Sequence, residues 1–115
     1  MPWEIEVSDG FKDWYDSLGD EECGSIHKVV EALSTLGPAL GRLQVDTLKG
    51  SRHPNMKELR IQHQGRPYRI LFAFNPRRTA YLICGGDKTG DAQWYGEPIR
   101  RADLIYAKHL EEIGD

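Results

Sequence analysis

Between Met56 and Cys84 the sequence carries three strand-like runs separated by only two turns of hairpin length, and this triplet restricts the fold more than any other feature. Met56–Gln62 is followed by His63-Gln64-Gly65-Arg66-Pro67, Tyr68–Phe74 by Asn75-Pro76-Arg77-Arg78, and Thr79–Cys84 by Gly85-Gly86. Connections this short and this rich in turn formers join neighbouring antiparallel strands, so the middle of the chain reads as a meander. What precedes and follows it has a different period. Trp3, Ile5 and Val7 alternate with Glu4 and Glu6 as in a half-buried strand. Ser8-Asp9 can cap a short helix bearing Phe11, Trp14, Tyr15 and Leu18, which Gly19 breaks. Asp20-Glu21-Glu22 opens a second helix with the stripe Ile26, Val29, Val30, Leu33 and Leu36, stopped by Gly37-Pro38. Residues 38–54 read as a connection with a helical turn near Leu40–Leu43. Pro98 starts a last helix with Ile99, Ala102, Tyr106, Leu110 and Ile113 on one side. The expected fold is α+β, in the order β-α-α-β-β-β-α, with a helical hairpin on one face of a curved, mainly antiparallel four-stranded sheet.

Size and composition fit one domain over residues 1–115, with no repeats or linkers. No apolar run approaches the roughly 18–20 residues of a membrane span, and Met-Pro-Trp-Glu-Ile-Glu lacks the regions of a signal peptide. Cys23 and Cys84 belong to no spacing motif and are expected to be reduced cysteines of a cytoplasmic protein.

Charge is distributed unevenly. Residues 42–88 hold ten Lys and Arg against three acids, a net +7, whereas residues 1–41 hold two against nine and residues 89–115 three against six. A cationic middle between acidic ends points to one face that meets a polyanion. Strand alternation narrows the choice. Tyr68, Ile70, Phe72 and Phe74 share the side that must pack on the helices, which leaves Arg69 with Leu71 and Ala73. Leu59 and Ile61 likewise leave Glu58, Arg60 and Gln62 opposite, so Arg60 and Arg69 are expected on one helix-free face, with Lys88 closing its end. Lys57 has core parity but lies at the edge of its strand. Arginines within strands are costly to place without a paired acid or a ligand, and the planar guanidinium fork suits phosphate.

RNA is cleaved without metal when its own 2′-hydroxyl attacks the adjacent phosphorus. The protein must then move two protons and neutralise the phosphorane. Arginine serves only the last task. His53, Lys88 and Tyr95 are candidates for proton transfer, with His63 behind them. Trp94 and Tyr95 are candidates for stacking on a base, and Lys57, Arg52 and Arg66 for further RNA contacts. His27 and His109 read as helix-surface residues. The three isolated acids of the basic stretch do not form the carboxylate cluster of a two-metal nuclease, and no cofactor is expected. Gly85-Gly86-Asp87-Lys88-Thr89-Gly90 lacks the spacing of a P-loop.

Met-Lys-Glu-Leu-Arg (56–60), Tyr-Arg-Ile-Leu-Phe (68–72), a third apolar strand, Gly-Asp-Lys (86–88) and Trp-Tyr (94–95), in this order, resemble the RelE/HigB superfamily of type II toxins, and within it the phage Gp49-like HigB branch. The resemblance is best from about Leu48 to Leu110. It implies a small toxin that cleaves mRNA on the translating ribosome and is silenced by a helix-turn-helix antitoxin of the HigA type, which alone would bring it to operator DNA. It maps the family's strand arginines onto Arg60 and Arg69, its basic residue after the last strand onto Lys88, and its late aromatic onto Tyr95. A ParE-like gyrase-binding toxin and a non-catalytic corepressor remain open beside it.

Overall fold

The computed structural model describes residues 2–41, 44–91 and 93–114. Its elements run β1 (Glu4–Val7), α1 (Asp9–Asp16), α2 (Asp20–Leu36), a 3-10 turn (Gly37–Ala39), β2 (Val45–Thr47), β3 (Met56–His63), β4 (Arg66–Phe74), β5 (Thr79–Asp87) and α3 (Gly96–Glu112). Local chemistry sets the helix starts. The Ser8 hydroxyl accepts from the Phe11 N–H at 3.0 Å at the head of α1, and the Glu22 carboxylate reaches back to the Gly19 N–H at 3.0 Å at the head of α2.

The strands lie in the order β1-β5-β4-β3-β2, antiparallel throughout except for the parallel β1–β5 pair. The hairpin of α1 and α2 carries the chain from β1 at one edge of the sheet to β2 at the other, so that the meander β3-β4-β5 ends beside β1. Phe11, Ile26 and Leu33 from that hairpin pack on Leu59, Ile61, Tyr68, Ile70, Phe72 and Leu82. On the other face Ala102 and Tyr106 of α3 pack on Met56, Leu71, Ala73, Tyr81 and Ile83.

Three expectations need correction. The sheet has five strands, because Val45–Thr47 pairs with Lys57–Leu59 along the edge of β3; three residues are too few to show a period. The face carrying Arg60 and Arg69 is not helix-free, since Met56, Leu71 and Ala73 share it and α3 covers that apolar part. His109 is buried within α3, where it stacks on Tyr81 at 3.7 Å and meets Asn75 Nδ2 at 3.0 Å. The turn expected near Leu40–Leu43 includes Arg42 and Leu43, which lie outside the described residues.

A bulge in β5 decides where the site can form. Leu71 pairs with Cys84 but Phe72 pairs with Leu82, so Ile83 is an extra residue, and both Ile83 and Cys84 enter the α3 side of the core. Beyond the bulge Gly85 faces the hairpin beneath Trp14, and Gly86 faces the opposite side beneath Trp94. Burial pushes the Cys84 thiol up to about 11, and both cysteines are free. No helix among the described residues is long and apolar enough to cross a membrane.

Candidate nucleic-acid interface

The part of the sheet that α3 leaves open is built around one cross-strand pair. Arg60 on β3 stands directly opposite Arg69 on β4, and Arg69 in turn stands opposite Gly86 on β5. Two guanidinium groups so placed repel, and Glu58 answers them. It lies two residues before Arg60 on the same face, its side chain is 6% exposed, and its Oε1 accepts from Arg60 Nε at 2.9 Å. The same oxygen is 4.0 Å from Arg69 Nε. That nitrogen is buried and has no hydrogen-bond partner among the described residues, while Arg69 Nη1 donates to the Tyr68 carbonyl at 2.9 Å. On its outer side Arg60 Nη2 meets Asp46 Oδ2 at 3.1 Å. The Glu58 hydrogen bond is the main reason that the Arg60 pKa is raised, with the charges of Glu58, Asp46 and Tyr95 adding to it against a desolvation that acts the other way. The paired acid that strand arginines require is therefore present, and it satisfies Arg60 far better than Arg69.

The second half of the site comes from the segment between β5 and α3. The Lys88 N–H donates to the Pro67 carbonyl at 2.9 Å, which sets Lys88 diagonally across from Arg69. Its ammonium is 5.1 Å from the centroid of the Tyr95 ring and 3.4 Å from the Tyr95 hydroxyl. Trp94 lies edge-on to Tyr95 with centroids 5.3 Å apart and packs against Gly86. A Cβ at Gly86 would come within 2.8 Å of the indole, so the seat of Trp94 depends on this glycine. Arg60, Arg69, Lys88, Tyr95 and Trp94 thus form one patch: fixed cations, a phenol beside an ammonium, and an aromatic edge. Such a patch can hold a phosphate, stack a base and exchange protons.

The other expected residues lie elsewhere. His53 sits before β3, with Nε2 3.3 Å from the Asp103 carbonyl and its ring edge-on to Tyr106 at 5.0 Å. Seven positions separate it from Arg60, and four of these lie in an extended strand rising about 3.3 Å per residue, which puts it at the α3-covered end of the face. Arg52 shares that end, where its N–H donates to Asp103 Oδ2 at 3.0 Å. Lys57 points to the opposite side of the sheet and approaches Thr47 Oγ1 at 3.4 Å. Arg66, at the β3–β4 turn, lies between Glu22 and Asp87 at 3.6 Å from each, with its guanidinium 5.5 Å from the Tyr68 ring centroid. His63 is buried against Ser25 Oγ at 2.7 Å. Sequence alone puts Glu58 on the face of Arg60 without pairing it to either arginine, and it does not single out Asp46. The alternation Glu58-Leu59-Arg60 was the available signal for the first, whereas nothing local points to the second. Among the described residues no three His, Cys, Asp or Glu side chains converge as a metal site.

The family profile described as phage-derived protein Gp49-like matches residues 13–107 of this chain. The chain belongs to that family. Among curated relatives of this Gp49-like chain, Mycobacterium tuberculosis (strain ATCC 25618 / H37Rv) HigB2, a toxin by name, is 44% identical over 115 residues, which is 98% of this chain and 57% of that protein. HigB3 of the same organism, also a toxin by name, is 43% identical over 91 residues, covering 78% of each. The chain therefore spans little more than half the length of HigB2. Among solved structures, a double arginine-to-alanine mutant of the E. coli toxin RelE in the free state superposes with a TM-score of 0.62 at 15% identity, covering 88% of this chain and 98% of that one. The archaeal RelE–RelB complex from Pyrococcus horikoshii OT3 gives a TM-score of 0.57 at 15% identity, covering 80% and 100%. The structural likeness shows a common fold. Together with the HigB relatives it sets this Gp49-like chain within the RelE/HigB superfamily.

Proposed function

We propose that the chain is a single toxin domain of a type II toxin–antitoxin system, and that its exposed sheet face cleaves mRNA held on the translating ribosome. The observation that carries this reading is the Arg60–Arg69 pair, whose buried Arg69 Nε has no hydrogen-bond partner among the described residues, set beside Lys88, Tyr95 and Trp94 in one patch. Arg69 and Arg60 neutralise the phosphorane as charge builds on its oxygens, since both stay protonated throughout. Tyr95 and Lys88, 3.4 Å apart, are the pair able to take the 2′-hydroxyl proton and to supply one to the leaving 5′-oxygen. Trp94 offers an aromatic ring on which a base can stack. With so few groups able to move protons, alignment has to come from outside, and the ribosome can provide it by holding the 2′-hydroxyl in line with the leaving oxygen. Positioning of that kind is worth several kcal/mol, about 7–11 at its limit. Acting there requires a cytoplasmic protein.

A partner protein that covers this patch, or keeps it from its target, would silence it. A helix-turn-helix antitoxin of the HigA type fits the HigB relatives, and a protein of this fold is found in complex with a partner, RelB, which supports the reading. Operator DNA would then be reached only through that partner.

The test is induction of the chain in bacteria lacking the partner, with new RNA 5′ ends mapped across the transcriptome. Growth inhibition with new ends inside translated codons is the expected result, lost in the Arg60→Ala/Arg69→Ala double variant at matched expression. Equal inhibition by both proteins ends the nuclease reading. It leaves a ParE-like gyrase toxin, for which this set is dispensable. Absence of toxicity in the unaltered chain points to the corepressor.

A further inference from the structure

We propose that Asp46 is an intramolecular competitor for the phosphate that Arg60 takes, and that this aspartate sets the affinity of the sheet face for a polyanion. The inference rests on the reading of that face as an RNA-binding surface. Asp46 sits on the short edge strand β2, in register with Glu58 on β3, so the two carboxylates flank Arg60 from neighbouring positions of one face. Its two oxygens have separate tasks. Oδ1 accepts from the Thr47 N–H at 2.9 Å, which fixes the plane of the carboxylate, and Oδ2 meets Arg60 Nη2 at 3.1 Å. Glu58 meanwhile takes Arg60 Nε at 2.9 Å. The fork that would grip two phosphate oxygens is therefore split between two acids, one buried and one half exposed.

The two acids differ in how readily they yield. Glu58, enclosed between Arg60 and Arg69, is fixed and holds the arginines side by side. Asp46 and Arg60 are 52% and 37% exposed at the side chain, and an ion pair that open is weak and screened by salt. An incoming phosphate displaces Asp46 and leaves Glu58 in place. Electrostatics points the same way. With Asp46 counted, Arg60, Arg69 and Lys88 face two acids and the patch carries one net positive charge; once Asp46 is released it carries two. The edge strand thus keeps the face nearly neutral until a strong anion arrives, which favours a strand of phosphates over a lone small anion.

The experiment measures binding of a short fluorescein-labelled 2′-O-methyl RNA, which cannot be cleaved through its 2′-oxygen, by fluorescence anisotropy at low salt. The chain is compared with Asp46→Asn, Asp46→Ala, Arg60→Ala, Arg69→Ala and the double variant Asp46→Asn/Arg60→Ala, each first checked for an unchanged melting temperature profile. Asp46→Asn and Asp46→Ala are expected to bind about threefold to fivefold more tightly, the fold-change equivalent of the ~1 kcal/mol upper range of an exposed ion pair. In the Arg60→Ala background the same change is expected to gain less than half of that, because the group Asp46 competes for is gone. Binding by Asp46→Asn no tighter than by the unaltered chain overturns the competitor role. So does a full gain in the Arg60→Ala background, which would mean that Asp46 acts only as a distant negative charge. Failure of the underlying reading looks different: Arg60→Ala and Arg69→Ala would both bind RNA as the unaltered chain does.

Discussion

Replacing Glu58 by Gln keeps the shape of a buried side chain and removes the one negative charge enclosed between Arg60 and Arg69. The cost can be worked from the register. The Arg60 N–H bonds to the Gln44 carbonyl on the β2 side, so Arg60 and Arg69 form the type of cross-strand pair without mutual backbone bonds, with Cα atoms about 4.5 Å apart. Two guanidinium groups at about 6 Å in surroundings of effective dielectric near 20 repel by roughly 3 kcal/mol. Arg60 has a relief route that Arg69 lacks, since its side chain is 37% exposed against 13% and can lean toward Asp46 and water. The net destabilisation is therefore about 1–3 kcal/mol, in the range for losing a charge-assisted hydrogen bond. In a chain of this length that lowers Tm by roughly 4–12 °C. The assay is thermal unfolding followed by far-UV circular dichroism in low salt, in matched chloride and in phosphate. Chloride is expected to recover part of the loss by screening, and phosphate more at equal ionic strength, because it can bridge the two arginines as the carboxylate did. A Tm within a degree or so of the unaltered chain would refute the reasoning. So would a loss of the same size in every salt, which would make Glu58 a packing residue rather than a charge between charges.

Gly86→Ala is expected to leave the chain folded, at a cost of about 1–2 kcal/mol, while weakening RNA binding. The new Cβ would lie 2.8 Å from the Trp94 indole and must push this half-buried ring off its seat; melting and anisotropy on one sample separate the two effects. Tyr68→Phe removes a hydroxyl that donates to the Glu22 carboxylate, and should cost about 1 kcal/mol at neutral pH. Burial and then Glu22 push the Tyr68 pKa up to about 12 from 10.0, so the folded chain holds this proton longer than the unfolded one. The stability it gives is whole below pH 10.0 and fades as pH rises toward about 12, and chemical denaturation across that window should show a shallower decline in Tyr68→Phe. His109 is expected in the Nδ1–H tautomer. Asn75 Oδ1 already accepts from the Arg77 and Thr79 N–H groups at 3.0 and 3.1 Å, so its Nδ2 must donate to His109 Nε2; long-range ¹⁵N-edited NMR reads the tautomer, and an Nε2–H form would contradict the assignment.

The parts of the fold that sequence reading reached are those determined within a few residues. Ser8 before Phe11, Glu22 after Gly19, and the two short turns of the meander each specify structure through neighbours in the chain. Strand parity likewise places Arg60 and Arg69 on one face of neighbouring strands, while their direct opposition is a matter of register. What escaped is determined at a distance. Asp103 and His109 look like surface positions of a helix until Ser51 and Arg52, or Asn75 and Tyr81, arrive from far along the sequence to satisfy them. The edge strand Val45–Thr47 has no period of its own and exists because β3 offers it a free side. The β5 bulge is similar: Ile83 and Cys84 both turn toward α3, and only that shift brings Gly86 under Trp94 and Lys88 beside Tyr95. His53 illustrates the converse, a residue of suitable chemistry whose place before β3, against Asp103 and Tyr106, keeps it from the patch.

Primer extension on one defined mRNA, with the purified chain added in the presence and absence of translating ribosomes, tests the central claim most directly. Little cleavage of free RNA is expected, with cuts within translated codons when ribosomes are present, a cyclic phosphate or its hydrolysis product on the upstream fragment, and loss of these cuts in Arg69→Ala. A message that stays whole on translating ribosomes, while the same preparation inhibits supercoiling by gyrase, would contradict it.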